Sequence, residues 1–93
     1  MITKEKYTLA DTVDGMISAD YKERFIAEYI QLAIRAEKLQ NYIYRISLSD
    51  EYDSVDEPKH DCSISILREQ LRAMIDYATV LEKRAIIEGI ELP

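Results

Sequence analysis

Two apolar stripes of the same rhythm constrain this chain more than any other feature. Phe25, Tyr29, Leu32, Ala36, Leu39, Ile43 and Ile46 follow one another in alternating steps of four and three, and Leu67, Leu71, Met74, Ala78, Leu81 and Ala85 repeat the pattern. That spacing keeps one face of an α-helix on a nearly straight line, as in a coiled-coil seam. A half-buried strand would instead alternate in twos. The glycines and prolines, Gly15, Gly89, Pro58 and Pro93, all lie outside both stripes, where helix breakers belong. The expected fold is therefore all-α: two long antiparallel amphipathic helices paired as a helical hairpin, with a short N-terminal helix before them.

The local signals place boundaries within a single domain over residues 1–93. An N-terminal arm occupies 1–19, helix one 20–46, an acidic loop 47–62, helix two 63–89 and a tail 90–93. In the arm, Thr8 reads as a cap with Asp11 in the first turn, Leu9 and Val13 share a face, and Gly15 is expected to stop the helix early. Asp20 can cap helix one, with Glu23 three residues on completing something close to a capping box. Helix two opens near Ser63 or Ser65 and ends at Gly89. Between the helices, turn formers and acids without any period predict a solvated loop, which lacks the glycine and the ligand spacing of a calcium site.

A chain this short buries only about two thirds of its unfolded surface. Yet Ile26, Ile30 and Ile34 form a second apolar row beside the first, which must meet either the arm or another subunit. Ile86, Ile87, Ile90 and Leu92 leave a further apolar cluster at the chain end, which a monomer would expose. Tyr29 and Tyr77 fall on or beside the stripes and are expected in the core. A homo-oligomer is the expected state.

The formal net charge of −6 is concentrated in one place: residues 47–62 hold six acids against one lysine, while the helical segments are close to neutral. A duplex nucleic-acid binder would show a basic stripe and a high pI, so that class is set aside, although a small anion in a local basic pocket is compatible with the pattern. No apolar run approaches the roughly 20 residues that cross a bilayer, and Met1-Ile2-Thr3-Lys4-Glu5-Lys6 lacks the apolar block of a signal peptide. A soluble, cytoplasmic protein is expected. Cys62 is the single cysteine, and a small filler before a helix is favoured over a nucleophile paired with His60.

Catalytic machinery is not visible. The sequence has no phosphate-binding glycine loop, HExxH helix, nucleophile elbow or Cys-His metal set. Glu28 and Glu82 read as solvated charges on helix surfaces, so neither a catalytic residue, a metal site nor a cofactor is expected. What remains is a set suited to recognition. Seven tyrosines accompany Arg24, Arg35, Arg45, Arg68, Arg72 and Arg84, offering stacking faces for bases and forked donors for phosphates. Tyr21 stands apart, because it lies in a first helical turn where free N–H groups favour an anion, and the apolar pattern that would bury it begins only at Phe25.

The run from Asp20 to Tyr29, with Leu32 and Lys38-Leu39, and later Leu67, Gln70, Met74, Tyr77, Leu81, Glu82 and Arg84, resembles a small helical bacteriophage and prophage family that includes the anti-CBASS protein two sponges. The resemblance covers residues 20–92. It implies a compact homohexamer that sequesters cyclic di- and trinucleotide signals of CBASS defence in the cytoplasm of the infected bacterial host, without cleaving them. It further implies that the aromatic of the dinucleotide site is Tyr21, that its basic partner along helix one is Arg35 or Lys38, and that Arg84 serves the trinucleotide site; Lys22 is a further candidate phosphate donor. The 19-residue arm and the long acidic loop depart from the family's compact pattern. Two other functions stay open: a phage structural or adaptor module whose helices mediate protein–protein contacts, and a small nucleotide hydrolase supported by scattered carboxylates alone.

Overall fold

A computed structural model describes residues 7–54 and 56–93. Met1–Lys6, read above as lacking an apolar leader block, and Val55 of the acidic loop lie outside the described residues. Every regular element among the described residues is helical: a 3-10 turn at Ala10–Thr12, α1 at Val13–Met16, α2 at Tyr21–Glu51 and α3 at Ile64–Glu88. None of these helices is long and apolar enough to cross a membrane.

Helix α2 begins where its cap predicts. The Asp20 carboxylate accepts from the Lys22 N–H at 2.9 Å, satisfying one of the free donors of the first turn. Glu23 does not complete the expected box directly. Ser18 stands between them, its hydroxyl accepting from the Asp20 N–H at 3.1 Å and donating to the Glu23 carboxylate at 2.9 Å. At its other end α2 continues to Glu51, five residues past the expected boundary at 46, so the acidic loop is shorter than 47–62. The apolar seam marks only where a packing partner lies, and a helix can run on past it where no breaker intervenes. Ser47 to Glu51 include neither glycine nor proline.

Helix α3 is capped by Ser63, whose hydroxyl accepts from the Ile66 N–H. It ends at Gly89, the residue with left-handed backbone (φ 69°, ψ 38°). That turn lets the Ile90 N–H reach the Ala85 carbonyl at 2.8 Å, the long bond of a Schellman motif, with its usual apolar contact. Ile90 is consequently buried at 7 % exposure, and Leu92 packs against the same core.

The core contains Phe25, Tyr29 and Leu32 from α2 with Ala78, Leu81 and Ala85 from α3. Cross-helix contacts set the relative direction of the two helices: Arg84 lies over Phe25, Tyr29 bonds Glu82, and Arg68 reaches Ser47. The start of α2 thus lies beside the end of α3, and the end of α2 beside the start of α3.

Three sequence expectations are corrected by this packing. The terminal cluster splits, since Ile90 is core while Ile86 and Ile87 are 84 % and 82 % exposed. Tyr77 is 45 % exposed instead of buried, because α3 meets the rest of its chain along a narrow strip. Glu82 is no solvated bystander, for it accepts from the core tyrosine Tyr29.

The arm docks on α2 through a close approach. A Cβ on Gly15 would stand 2.9 Å from Ala27 Cβ, and the Gln31 amide donates to the Thr12 hydroxyl at 2.9 Å. Gly15 lies inside α1 and does not terminate it; its missing side chain is what lets the arm touch α2. The arm and α2 together enclose a cleft of about 220 Å³ lined in part by Ile26, Ala27 and Ile30. Part of the second apolar row is therefore covered within the chain.

Candidate functional site

Where the first turn of α2 meets the last turns of α3, an aromatic and basic cluster forms at the surface. Tyr21 is 47 % exposed, as expected for a first-turn position preceding the apolar seam. Arg84 extends across the helix junction, its guanidinium carbon 4.9 Å from the centroid of the Phe25 ring, within the range of a cation–π contact. The same guanidinium grips Glu88 one turn on, with Nε donating at 2.7 Å and a terminal nitrogen at 3.2 Å. This two-point grip leaves both side chains partly solvated.

The electrostatics tie the four residues together. The hydrogen bond from Arg84 holds the Glu88 carboxyl below its ordinary pKa, and Tyr21 and Lys22 lower it further. Conversely the Glu88 bond raises the Arg84 guanidinium, with Glu28 and Tyr21 adding to the effect. Tyr21 and Lys22 stand four and three residues before Phe25 on α2, and Arg84 lies over the Phe25 ring, so the three make one patch contributed by two helices.

Arg35 and Lys38 do not join it. Both are exposed on α2, but at about 1.5 Å of rise per residue they stand roughly 21 and 26 Å along the axis from Tyr21. A single small ligand cannot touch Tyr21 and Arg35 of the same chain. The patch also contains two residues that the sequence reading did not assign, Phe25 as the platform under Arg84 and Glu88 as its partner. The i, i+4 spacing of Arg84 and Glu88 carried the signal for that pair; Phe25 gave none, because core and platform roles look alike in an apolar seam.

A family model described as Sequestin matches residues 19–87, well over half of the chain. The chain belongs to the Sequestin family. The matched segment takes in all of α2 and nearly all of α3, and with them Tyr21, Lys22, Arg35, Lys38 and Arg84. It begins after most of the arm, so the cleft between arm and α2 is built in part from residues outside the match. The family name fits a sequestering protein. No curated protein and no solved structure matches the chain.

Proposed function

We propose that this Sequestin-family protein is a non-enzymatic viral decoy, which binds cyclic di- or trinucleotide immune signals and keeps them from the effectors of CBASS-type defence in the host cytoplasm. The observation that carries the proposal is the exposed cluster of Tyr21, Lys22 and Arg84 inside the segment that defines family membership. A planar exposed ring offers a stacking face for a base, and an ammonium and a guanidinium beside it offer charge-assisted donors for phosphates. Sequestration requires affinity and abundance, and no group that breaks a bond.

The subunit of this decoy is an antiparallel helical hairpin that assembles into a homo-oligomer, a hexamer by resemblance. Assembly would also resolve the distance between Tyr21 and Arg35 or Lys38, since a neighbouring subunit can bring its own Arg35 or Lys38 to the ligand. The test is thermal melting with a panel of cyclic di- and trinucleotides. A ligand at a hundredfold excess over its Kd adds about 2.7 kcal/mol of stability, a shift of several degrees for a domain of this size. Absence of any shift across the panel would remove the decoy reading. A phage adaptor is the second reading, favoured by the bare Ile86-Ile87 pair; it predicts capture of a protein partner with no nucleotide response.

A further inference from the structure

The Arg84 guanidinium is the strongest phosphate donor of the patch, and it is already occupied. Glu88 takes two of its nitrogens in the forked geometry that a phosphate would use. Helix stability gives only a weak reason for this carboxylate, because an exposed i, i+4 pair contributes little and Arg before Glu is its less favourable order. Glu88 is the last residue of α3, where the negative end of the helix dipole disfavours an anion. Nor is the pair sealed in the core, since the Arg84 and Glu88 side chains are 49 % and 26 % exposed. The contact is therefore one that an incoming anion can displace at small cost.

We propose that Glu88 is a gate on the Arg84 fork: an internal carboxylate that stands in for the ligand's phosphate and must be displaced before a cyclic nucleotide binds. The gate rests on the decoy function proposed above. It makes Arg84 available to ligands whose other contacts, with Tyr21 and Lys22, offset the lost pair. Free phosphate, which has no base to stack, is thereby discouraged. Glu28 and Tyr21 act on Arg84 from α2, and Tyr21, through a hydrogen bond, and Lys22 act on Glu88; for both groups the Arg84–Glu88 bond is the largest influence.

The test compares Glu88→Gln with Glu91→Gln in the full chain. Each removes one negative charge at the same end of the protein, and Glu91 has no bond to Arg84 among those described. Two readouts are taken: the rate at which phenylglyoxal modifies Arg84, followed by peptide mass spectrometry, and calorimetric affinity for cyclic di- and trinucleotides. Glu88→Gln should raise the modification rate and tighten binding, each by about two- to fivefold, with the melting temperature unchanged. Glu91→Gln should change neither by as much as twofold. Equal Arg84 reactivity in wild type and Glu88→Gln overturns the gate, as does an equal gain in Glu91→Gln. If wild type binds a cyclic nucleotide and Glu88→Gln binds it no better, the gate alone fails. If no variant binds any, the decoy function falls and the gate with it.

Discussion

The Tyr29 hydroxyl donates a 2.5 Å hydrogen bond to the Glu82 carboxylate, joining the buried face of α2 to the flank of α3. Tyr29 is 1 % exposed and lies in the middle of the core, so the bond places a polar anchor inside an otherwise apolar contact. Tyr29→Phe keeps the ring and removes the donor, and should lower unfolding free energy by about 1.5 to 3 kcal/mol, the range for a bond to a charged group. Urea unfolding followed by circular dichroism measures it. A loss below a few tenths of a kcal/mol would show that water replaces the hydroxyl without penalty.

Gly15 should not tolerate a side chain. Alanine improves the propensity of a helical position by about 1 kcal/mol, yet here its Cβ would meet Ala27 Cβ at 2.9 Å and the Glu23 carbonyl at 3.3 Å. Gly15→Ala should therefore reduce hydrogen-exchange protection of the arm and cost about 1 to 3 kcal/mol. Adding Ala27→Gly should restore part of the protection, because it reopens the gap at the same point.

The two kinds of C-terminal isoleucine should respond in opposite ways. Ile90 lies in the core, so Ile90→Ala should cost about 2 to 5 kcal/mol of stability. Ile86 and Ile87 face solvent in the isolated chain, so Ile86→Asp with Ile87→Asp should leave helix content intact and, in an oligomer that uses this surface, reduce the mass seen by light scattering. Unchanged mass would place the subunit interface elsewhere.

Tyr21 carries the stacking prediction. Its removal as Tyr21→Ala should weaken cyclic-dinucleotide binding about 5- to 150-fold, with the oligomer and its melting temperature nearly unchanged. Calorimetry decides it, and an unaltered Kd or a loss of helicity would take Tyr21 out of the site.

His60 should titrate above its ordinary value. Its Nδ1 is 2.7 Å from the Cys62 carbonyl oxygen, and its Nε2 lies 3.6 Å from Glu57. Carbonyl and carboxylate both accept, so only the protonated ring serves the two together. The Cys62 carbonyl is the chief cause of the upward shift from 6.5, with Glu57 and Asp50 adding to it. A raised folded-state pKa means that this contribution is complete below pH 6.5 and is lost as pH rises through the folded value. NMR titration of the ring should give a midpoint above 6.5, moving downward in Glu57→Gln. Tyr42, edge-on to the ring and bonded through its hydroxyl to the Lys59 carbonyl, should broaden or shift over the same pH range as the loop loosens.

Helix identity was legible from spacing and caps, because both depend on residues within one or two turns of each other. The steps of four and three mark the seam from Phe25 to Ile46, and Asp20 and Gly89 mark two of the ends, without reference to any distant contact. The exposed first-turn position of Tyr21 was legible for the same reason, since the ring precedes the seam. The sequence by itself thus determined that two long stretches are helical and which face of each is apolar, though not how far α2 runs past Ile46. Only the tertiary structure decided how those faces are shared. Ile86 and Ile90 look alike in sequence, but the left-handed turn at Gly89 swings Ile90 into the core and leaves Ile86 outside. Ala27 and Gly15 reveal their contact only once the arm is laid on α2. Arg84 and Phe25 are 59 positions apart (84 less 25), and they meet because the start of α2 and the end of α3 lie side by side. Local chemistry sets the elements, whereas burial and the pairing of charges depend on which surfaces are brought together, a property of the packed chain and of no segment within it.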